Sequence, residues 1–441
     1  MNAPDVVDVV ALGESMVTFL PTRAGRLADV PSFDRAIGGA ESNVACGLAA
    51  VGHAVRWVSR VGSDGFGDHL VETVGGCGVD VSAVGRDSSR PTGVYFRTAG
   101  DRATDAHEVA YYRAGSAASA MSVENVDLAS VRAARVLHLS GITAALSEGC
   151  LALLRALMAP GEDRPLVSFD VNHRAGLWRD AEGPRVLLEL AREADVVFVG
   201  EDEAEEAWGI SGGPSAIRTA LPEPGVLVVK QGGVGATAFV SAAGRWGLVA
   251  PRGGAAHRHG PAPLESDTGT RIRAAAPSPA PKTGGTPQAG ASDTDPRRQG
   301  AVPAPRPTQP AGGRAARGAS GSAESGTPST WAGGTHPRPA PESGTFVPAL
   351  HVDVVATTGA GDAFAAGFLS ATLRGLPLKT RLRHGHLHAA AVLTTPGDLA
   401  KPPTRDITDR LAAVSDDVWG TLRLGPGWTQ AGTAPEEVRT P

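Results

Sequence analysis

Thr357 to Asp362 (TTGAGD) puts a carboxylate directly behind Gly-Ala-Gly, where a β-like run (HVDVV) gives way to the helical stretch AFAAGFLSATLRG. Glycines at 359 and 361 let a backbone approach a ligand without Cβ interference. The first N–H groups of the following helix have no intrahelical partner and lie at the positive end of its dipole. Together they can bind phosphate and stabilise charge developing on a transferring phosphoryl group. Asp362 stands beside that anion site, where it could take a proton from an attacking hydroxyl. On spacing alone, an aspartate serving only the helix dipole reads equally well.

Three other clusters bear on the question. In SFDRAIGGAESNVACG, Gly38 and Gly39 precede a small-residue helix that carries Asn43, whose amide is both donor and acceptor for a hydroxylated ligand. VVKQGGVGA is a glycine turn after an apolar strand, a second phosphate or nucleotide loop carrying Lys230, although such turns are common. HGHLH puts His384 and His388 on one helical face without a visible third ligand, so packed or solvated histidines are expected rather than a metal site. Cys77 and Cys150 have no obvious activating neighbour and read as small core residues.

Elements that would position these loops recur along the chain. VVDVVALGE, AVRWVSRVG, ARVLHLSG, PLVSFDVN, ADVVFVG and GVLVVKQGG read as strands, with GFGDHLVETVGGCG, EGCLALLRALM and GPRVLLELAREA as helices. Apolar strands separated by helices predict an α/β fold with a mainly parallel central sheet covered on both faces. MVTFLP and GVYFRTAGDRATDAHEVAYYR predict a small β-lid, with strands near 15–35 and 92–113. Ligands in such folds bind beyond the C-terminal strand ends, where the loops above lie.

The 441 residues are 41% apolar, and Lys and Arg total 41 against 46 Asp and Glu, so neither nucleic acid nor a membrane surface is an expected partner. Three scattered cysteines suggest a reducing compartment, and no apolar run is long enough to span a membrane. No signal peptide is evident, and the expected location is cytoplasmic. Residues 251–344 are dominated by Pro, Ala, Gly, Ser, Thr and Arg and read as a disordered insertion, with 421–441 as a flexible tail. The folded domain is then 1–250 with 345–420.

The order GG-x-x-x-N, VGSDGFGDHL, VVK-x-G-x-x-G and T-x-GAGD resembles the ribokinase-like (PfkB-type) carbohydrate kinases. That resemblance implies a three-layer α/β/α sandwich with a β-lid and ATP-dependent phosphorylation of a sugar hydroxyl. It makes Asp362 the base and the Gly359, Ala360 and Gly361 amides the anion hole. Lys230, Gly232, Gly235 and Thr358 fall on the nucleotide side, and Gly38, Gly39 and Asn43 face the sugar. Magnesium would bridge the ATP phosphates. VAYYRAGSAASAM and SFDVNHRAGLW look most like 2-keto-3-deoxygluconate kinase, with Tyr111, Arg113 and Arg174 suited to a carboxylate and Tyr95 adding a hydroxyl contact. Fructokinase, 5-dehydro-2-deoxygluconokinase and a non-catalytic binding homologue are the alternatives. A homodimer or higher homo-oligomer is the expected assembly.

Two positions depart from the family pattern. Ala356 stands where an aspartate that helps bind a monovalent cation is expected, which puts potassium in doubt. Gly200 replaces the asparagine of an N-x-x-E segment, leaving Glu203 to position magnesium through water.

Overall fold

The computed structural model describes residues 4–23, 25–98, 108–161, 164–178, 182–241 and 343–430. Its strands in chain order are β1 (Val7–Leu12), β2 (Met16–Pro21), β3 (Phe33–Gly38), β4 (Val55–Gly62), β5 (Val84–Asp87), β6 (Val94–Arg97), β7 (Val109–Tyr112), β8 (Ala134–Ser140), β9 (Leu166–Asp170), β10 (Val196–Gly200), β11 (Val226–Lys230), β12 (Gly235–Val240), β13 (Thr345–Pro348), β14 (His351–Val352) and β15 (Arg423–Leu424). The helices are α1 (Ala40–Ala50), α2 (Gly65–Gly76), α3 (Leu128–Arg132), α4 (Gly141–Ala145), α5 (Glu148–Met158), α6 (Gly183–Glu193), α7 (Glu201–Trp208), α8 (Gly213–Ala220), α9 (Ala360–Leu373), α10 (Leu378–Leu393), α11 (Arg405–Ala412) and α12 (Asp416–Thr421).

Among the described residues the main sheet runs β13-β12-β11-β10-β9-β8-β1-β4-β5. It is parallel from β11 to β5, while β12 and β13 are antiparallel. Successive strand side chains point to opposite faces, and the apolar strands divide accordingly. Val9, Val196, Phe198, Val226 and Val228 join one core beneath α1, α2, α9 and α10. Val10, Val197, Val199, Leu227 and Val229 join a second beneath α5, α6 and α8. Burial on both faces is why VVFVG and VLVVK are unbroken apolar runs rather than alternating ones. The result is the expected three-layer α/β/α sandwich. Its lid is a second sheet, β3-β2-β6-β7; β2, β6 and β7 fall inside the expected spans, while β3 starts within the first and runs three residues past it to Gly38.

Helix α9 is buried almost all round because α1 and α10 pack against it through small residues. A Cβ on Gly367 would overlap the His384 carbonyl, so α9 and α10 meet backbone to backbone. His384, His386 and His388 are all buried in that packing, and burial pushes each down, to about 4, 4 and 3. They are packed neutral rings, and no cluster of three metal-ligating side chains occurs among the described residues. Cys77 is not isolated, however: a hydrogen bond with Cys46 draws its thiol down to about 7.

One boundary moves. Residues 421–430, expected in a flexible tail, include β15, which pairs in parallel with β14. Leu422 and Leu424 are buried, and the neighbouring Trp419 indole donates to the Pro348 carbonyl at 3.0 Å. Residues 431–441 lie outside the described residues, as does the expected insertion apart from residues 343 and 344. The flanking strands are well placed: β12 pairs with β13, Ala238 opposite Thr345. The chain therefore leaves and rejoins the sheet at the end opposite the C-terminal tips of the parallel strands.

Candidate active site

The N-terminus of α9 is open. Gly359 is its N-cap residue at φ +82°, and no side chain caps the helix. That left-handed conformation favours glycine, and a Cβ there would also overlap the Asp398 carbonyl oxygen. The Ala360 N–H donates to the Thr357 carbonyl at 3.4 Å, and the next amides, of Gly361 and Asp362, lie at the positive end of a fourteen-residue helix with no side-chain cap.

Asp362 sits half-buried on the first turn, and its Oδ2 accepts from Asn43 Nδ2 at 2.9 Å. That bond joins the first turns of α1 and α9 across most of the chain. Burial pushes the Asp362 carboxyl up to about 7, helped by Asp170 and Glu41 and opposed by Asn43 and Lys230. A base poised near neutrality can still accept a proton while being ionised often enough to act.

Lys230, the last residue of β11, reaches across β10 to Asp170 at the tip of β9, with Nζ 3.0 and 3.2 Å from the two carboxylate oxygens. Burial works against its charge, but Asp170, Glu203 and Asp362 together push the ammonium up to about 12. Its Nζ is 3.5 Å from where a Cβ on Gly361 would lie, so the cation faces the anion loop more than the turn behind it. In that turn Gly232 (φ +54°) borders open space, whereas Gly235 packs against the Val347 carbonyl of β13. Thr358 is partly exposed beside α9.

Arg174 and Glu203 come together, with Nη1 3.5 Å from Oε1 and the guanidinium side chain 54% exposed. Glu203 Oε2 accepts the Gly200 N–H at 2.8 Å, satisfying one backbone donor at the start of α7.

The lid side is more occupied than the sequence suggests. The Tyr95 hydroxyl, expected to contact a ligand, donates to buried Asp398, and Arg97 Nη2 donates to the other oxygen of that carboxylate at 2.6 Å. Arg113 pairs with Glu14 of the chain itself, and Glu14 also accepts from Ser116 Oγ at 2.5 Å. Tyr111 stays exposed, with the Arg113 guanidinium carbon 5.9 Å from its ring centre. Gly38 and Gly39 are small because Tyr95 and Glu14 press on them: a Cβ on Gly38 would overlap the Tyr95 hydroxyl, and one on Gly39 the Glu14 carbonyl.

Sequence reasoning missed four carboxylates here. Asp170 is the aspartate of D-x-N in SFDVN, a signal present but unused. Glu41 accepts from Ser140 Oγ and Thr143 Oγ1, both at 2.7 Å, and burial raises its carboxyl. Glu14 and Asp398 belong to no repeating pattern.

Comparison with known proteins bears directly on this geometry. The description "pfkB family carbohydrate kinase" matches residues 7–251 and 340–405. A 2-dehydro-3-deoxygluconokinase of Thermoproteus tenax is 33% identical over 241 residues, covering 54% of this chain and 73% of that protein. Fructokinase-1 of Zea mays is 36% identical over 205 residues, covering 46% and 62%. A PfkB protein structure from Polaromonas sp. JS666 superposes with a TM-score of 0.61 at 26% identity, covering 92% of this chain and all of that one.

Proposed function

The chain belongs to the pfkB family carbohydrate kinases, ATP-dependent sugar kinases, and from that premise we propose that it phosphorylates 2-keto-3-deoxygluconate to 2-keto-3-deoxy-6-phosphogluconate. The observation that carries the choice of a sugar acid is Arg174. Its guanidinium is half-exposed, held through Nη1 by the His173 carbonyl at 2.7 Å and 3.5 Å from Glu203, and offers the rest of its fork to a substrate carboxylate. The name of the Thermoproteus relative points the same way. One observation favours fructose instead: Glu14 already neutralises Arg113, and the arginine left for an acid, Arg174, itself lies 3.5 Å from Glu203.

In this reading Asp362 Oδ takes the proton from the attacking hydroxyl. The amides of Gly359, Ala360 and Gly361 receive the negative charge of the transferring phosphoryl group. Asn43 orients Asp362 and faces the sugar with Gly38 and Gly39, and Tyr111 lies at the lid edge. Lys230 offsets the charge of Asp170 beside the phosphates, while Gly232, Gly235 and Thr358 border the nucleotide. Magnesium keeps most of its water and binds through one or two carboxylates plus substrate phosphates. Asp170, bonded to Lys230, and Glu203, whose charge also acts on that ammonium, are the residues that would hold it, Glu203 through water. Ala356 offers no carboxylate to a monovalent cation, and its segment is instead tied by Val355 N–H to the Leu393 carbonyl at 2.7 Å.

Coupled ADP release with 2-keto-3-deoxygluconate, fructose and 5-dehydro-2-deoxygluconate tests the assignment. The keto acid should give the highest kcat/KM. Arg174→Ala should raise its KM roughly 10- to 100-fold, as expected for a lost charge-assisted hydrogen bond, while sparing fructose. A preference for fructose in the parent enzyme would sink the proposal.

A further inference from the structure

Asn172 stands in the loop that leaves β9, two residues after Asp170, and is the one non-glycine among the described residues with a positive φ, +40°. The chain around it is pinned. The Val171 N–H donates to the Phe198 carbonyl of β10 at 2.9 Å, and the Val171 carbonyl lies where a Cβ on Gly141, just past β8, would be. The Asn172 N–H then donates to Asp170 Oδ1 at 3.2 Å. Asparagine tolerates this left-handed conformation, but glycine adopts it at less steric cost, so the turn by itself does not call for an amide. The amide is also awkward where it stands. Asn172 is 7% exposed, and its buried Oδ1 accepts from nothing among the described residues. A buried acceptor left unpaired costs stability. Donors on the same loop and sheet edge bond elsewhere: Lys230 to Asp170, and Arg174 Nη1 to the His173 carbonyl.

We propose that Asn172 is a sugar-binding residue whose side-chain carbonyl accepts a hydrogen bond from a substrate hydroxyl. An amide oxygen is satisfied only by a donor. The ATP phosphates and a substrate carboxylate are ionised at neutral pH and have no proton to give, which leaves a sugar hydroxyl or a magnesium-bound water. Position decides between them. Asp170 turns its carboxylate across β10 to Lys230, toward the proposed magnesium side. The Val171 backbone leans the other way, onto Gly141, whose neighbours Ser140 and Thr143 both bond Glu41 in the first turn of α1. That turn also carries Asn43, directly behind Gly38 and Gly39. The strained backbone fixes the amide at the sugar side of the β9 loop, and the hydroxyl supplies the donor that the chain withholds. The inference rests on the sugar-kinase reading, but not on the sugar being the keto acid.

Asn172→Gly keeps the turn and removes the amide, so it is the primary variant, whereas Asn172→Ala removes the amide and disfavours the turn as well. Calorimetry follows binding of 2-keto-3-deoxygluconate and of fructose without nucleotide, and ADP release gives kcat and the KM values for sugar and ATP. Loss of one neutral hydrogen bond predicts a sugar Kd and KM raised roughly 3- to 10-fold in Asn172→Gly. Its KM for ATP and its melting temperature should stay close to the parent's, with kcat changing less than the sugar KM. Asn172→Ala should weaken sugar binding at least as much and also melt lower. Analogues of the bound sugar, each lacking one hydroxyl, identify the donor: one of them should bind parent and Asn172→Gly alike. Sugar affinity in Asn172→Gly equal to the parent's would overturn the proposal. So would a loss confined to ATP and magnesium, which would give Oδ1 to a metal-bound water. An equal loss with every analogue would also overturn it, by making Asn172 a brace for its loop. Turnover of fructose but not of the keto acid would reject the substrate assignment while leaving this test intact.

Discussion

Two helices of this protein begin with nearly the same four residues and do opposite things with them. Helix α2 opens on Gly65-Phe66-Gly67-Asp68 and α9 on Gly359-Ala360-Gly361-Asp362. In α2 the preceding residue, Asp64, is the N-cap: its carboxylate accepts from the Phe66 and Gly67 amides at 3.1 and 2.8 Å. Burial would raise that carboxyl, but amides from Thr92, Gly67 and Phe66 hold it below its usual range. In α9 the first glycine is itself the N-cap, outside the helix, and no side chain caps the amides: Ala360 N–H turns back to the Thr357 carbonyl at 3.4 Å, and Gly361 N–H has no side-chain acceptor. The one-residue offset also turns the aspartate by about 100° around the axis. Asp68 points to solvent and pairs with Arg86 at 2.9 Å, whereas Asp362 turns toward Asn43. The lesson is that a Gly-x-Gly-Asp turn can offer its amides to an anion only where no upstream side chain caps them.

That contrast can be broken in several places. Asp362→Asn should lower kcat by about 1000-fold, the middle of the range for a general base, with sugar affinity by titration calorimetry largely retained. Retained turnover would place Asp362 in the same structural class as Asp68. With Asp362 raised to about 7, kcat/KM should fall about tenfold per pH unit below that value, since only the ionised carboxylate accepts a proton. Asn43→Ala removes a bond that lowers the Asp362 carboxyl and should move this acid limb upward. Linkage has the opposite sign for stability: a carboxyl raised on folding costs stability as pH climbs from 3.8 toward 7. Asp362→Asn should therefore melt no lower than the parent at pH 8. Asp64→Ala at the closed helix should instead cost about 1–2 kcal/mol in denaturant melts, with kcat of the folded protein within about twofold. The smallest effect is expected from exchanging potassium for sodium, under about twofold because no carboxylate waits at Ala356 to feel the cation.

The sequence carried what is local or periodic. Strands buried on both faces show as apolar runs, and the two glycine loops announced themselves by residue type. Asn43 and Asp362 were each legible as substrate-side candidates, but nothing in their spacing paired them, and the bond between them is seen only in the structure. Partners were harder to see. An arginine's spacing does not say whether a ligand or Glu14 will meet it, and a tyrosine's does not say that Asp398 will. Both answers depend on where the turn after α10 lands against the lid, which no pattern in TPGD encodes. Lys230 was placed on the nucleotide turn because glycines follow it, yet its direction was decided by Asp170 two strands away. The histidines of α10 read equally well as packed or solvated, because the spacing gave no hint that α9 would pack against the helix backbone.

Those histidines set a limit on the conditions in which the protein can work. Each is neutral in the fold and would ionise at its ordinary value once released, so their contribution is present above about 6.5 and is lost as the medium acidifies toward 4. Three protons taken up together on unfolding would steepen the loss to as much as about 4 kcal/mol per pH unit. Under the proposed mechanism chemistry would fade reversibly as Asp362 protonates near 7, while structure would give way further down, when α10 can no longer hold uncharged rings under α9. A mildly acidified cell would therefore silence this enzyme before it lost it.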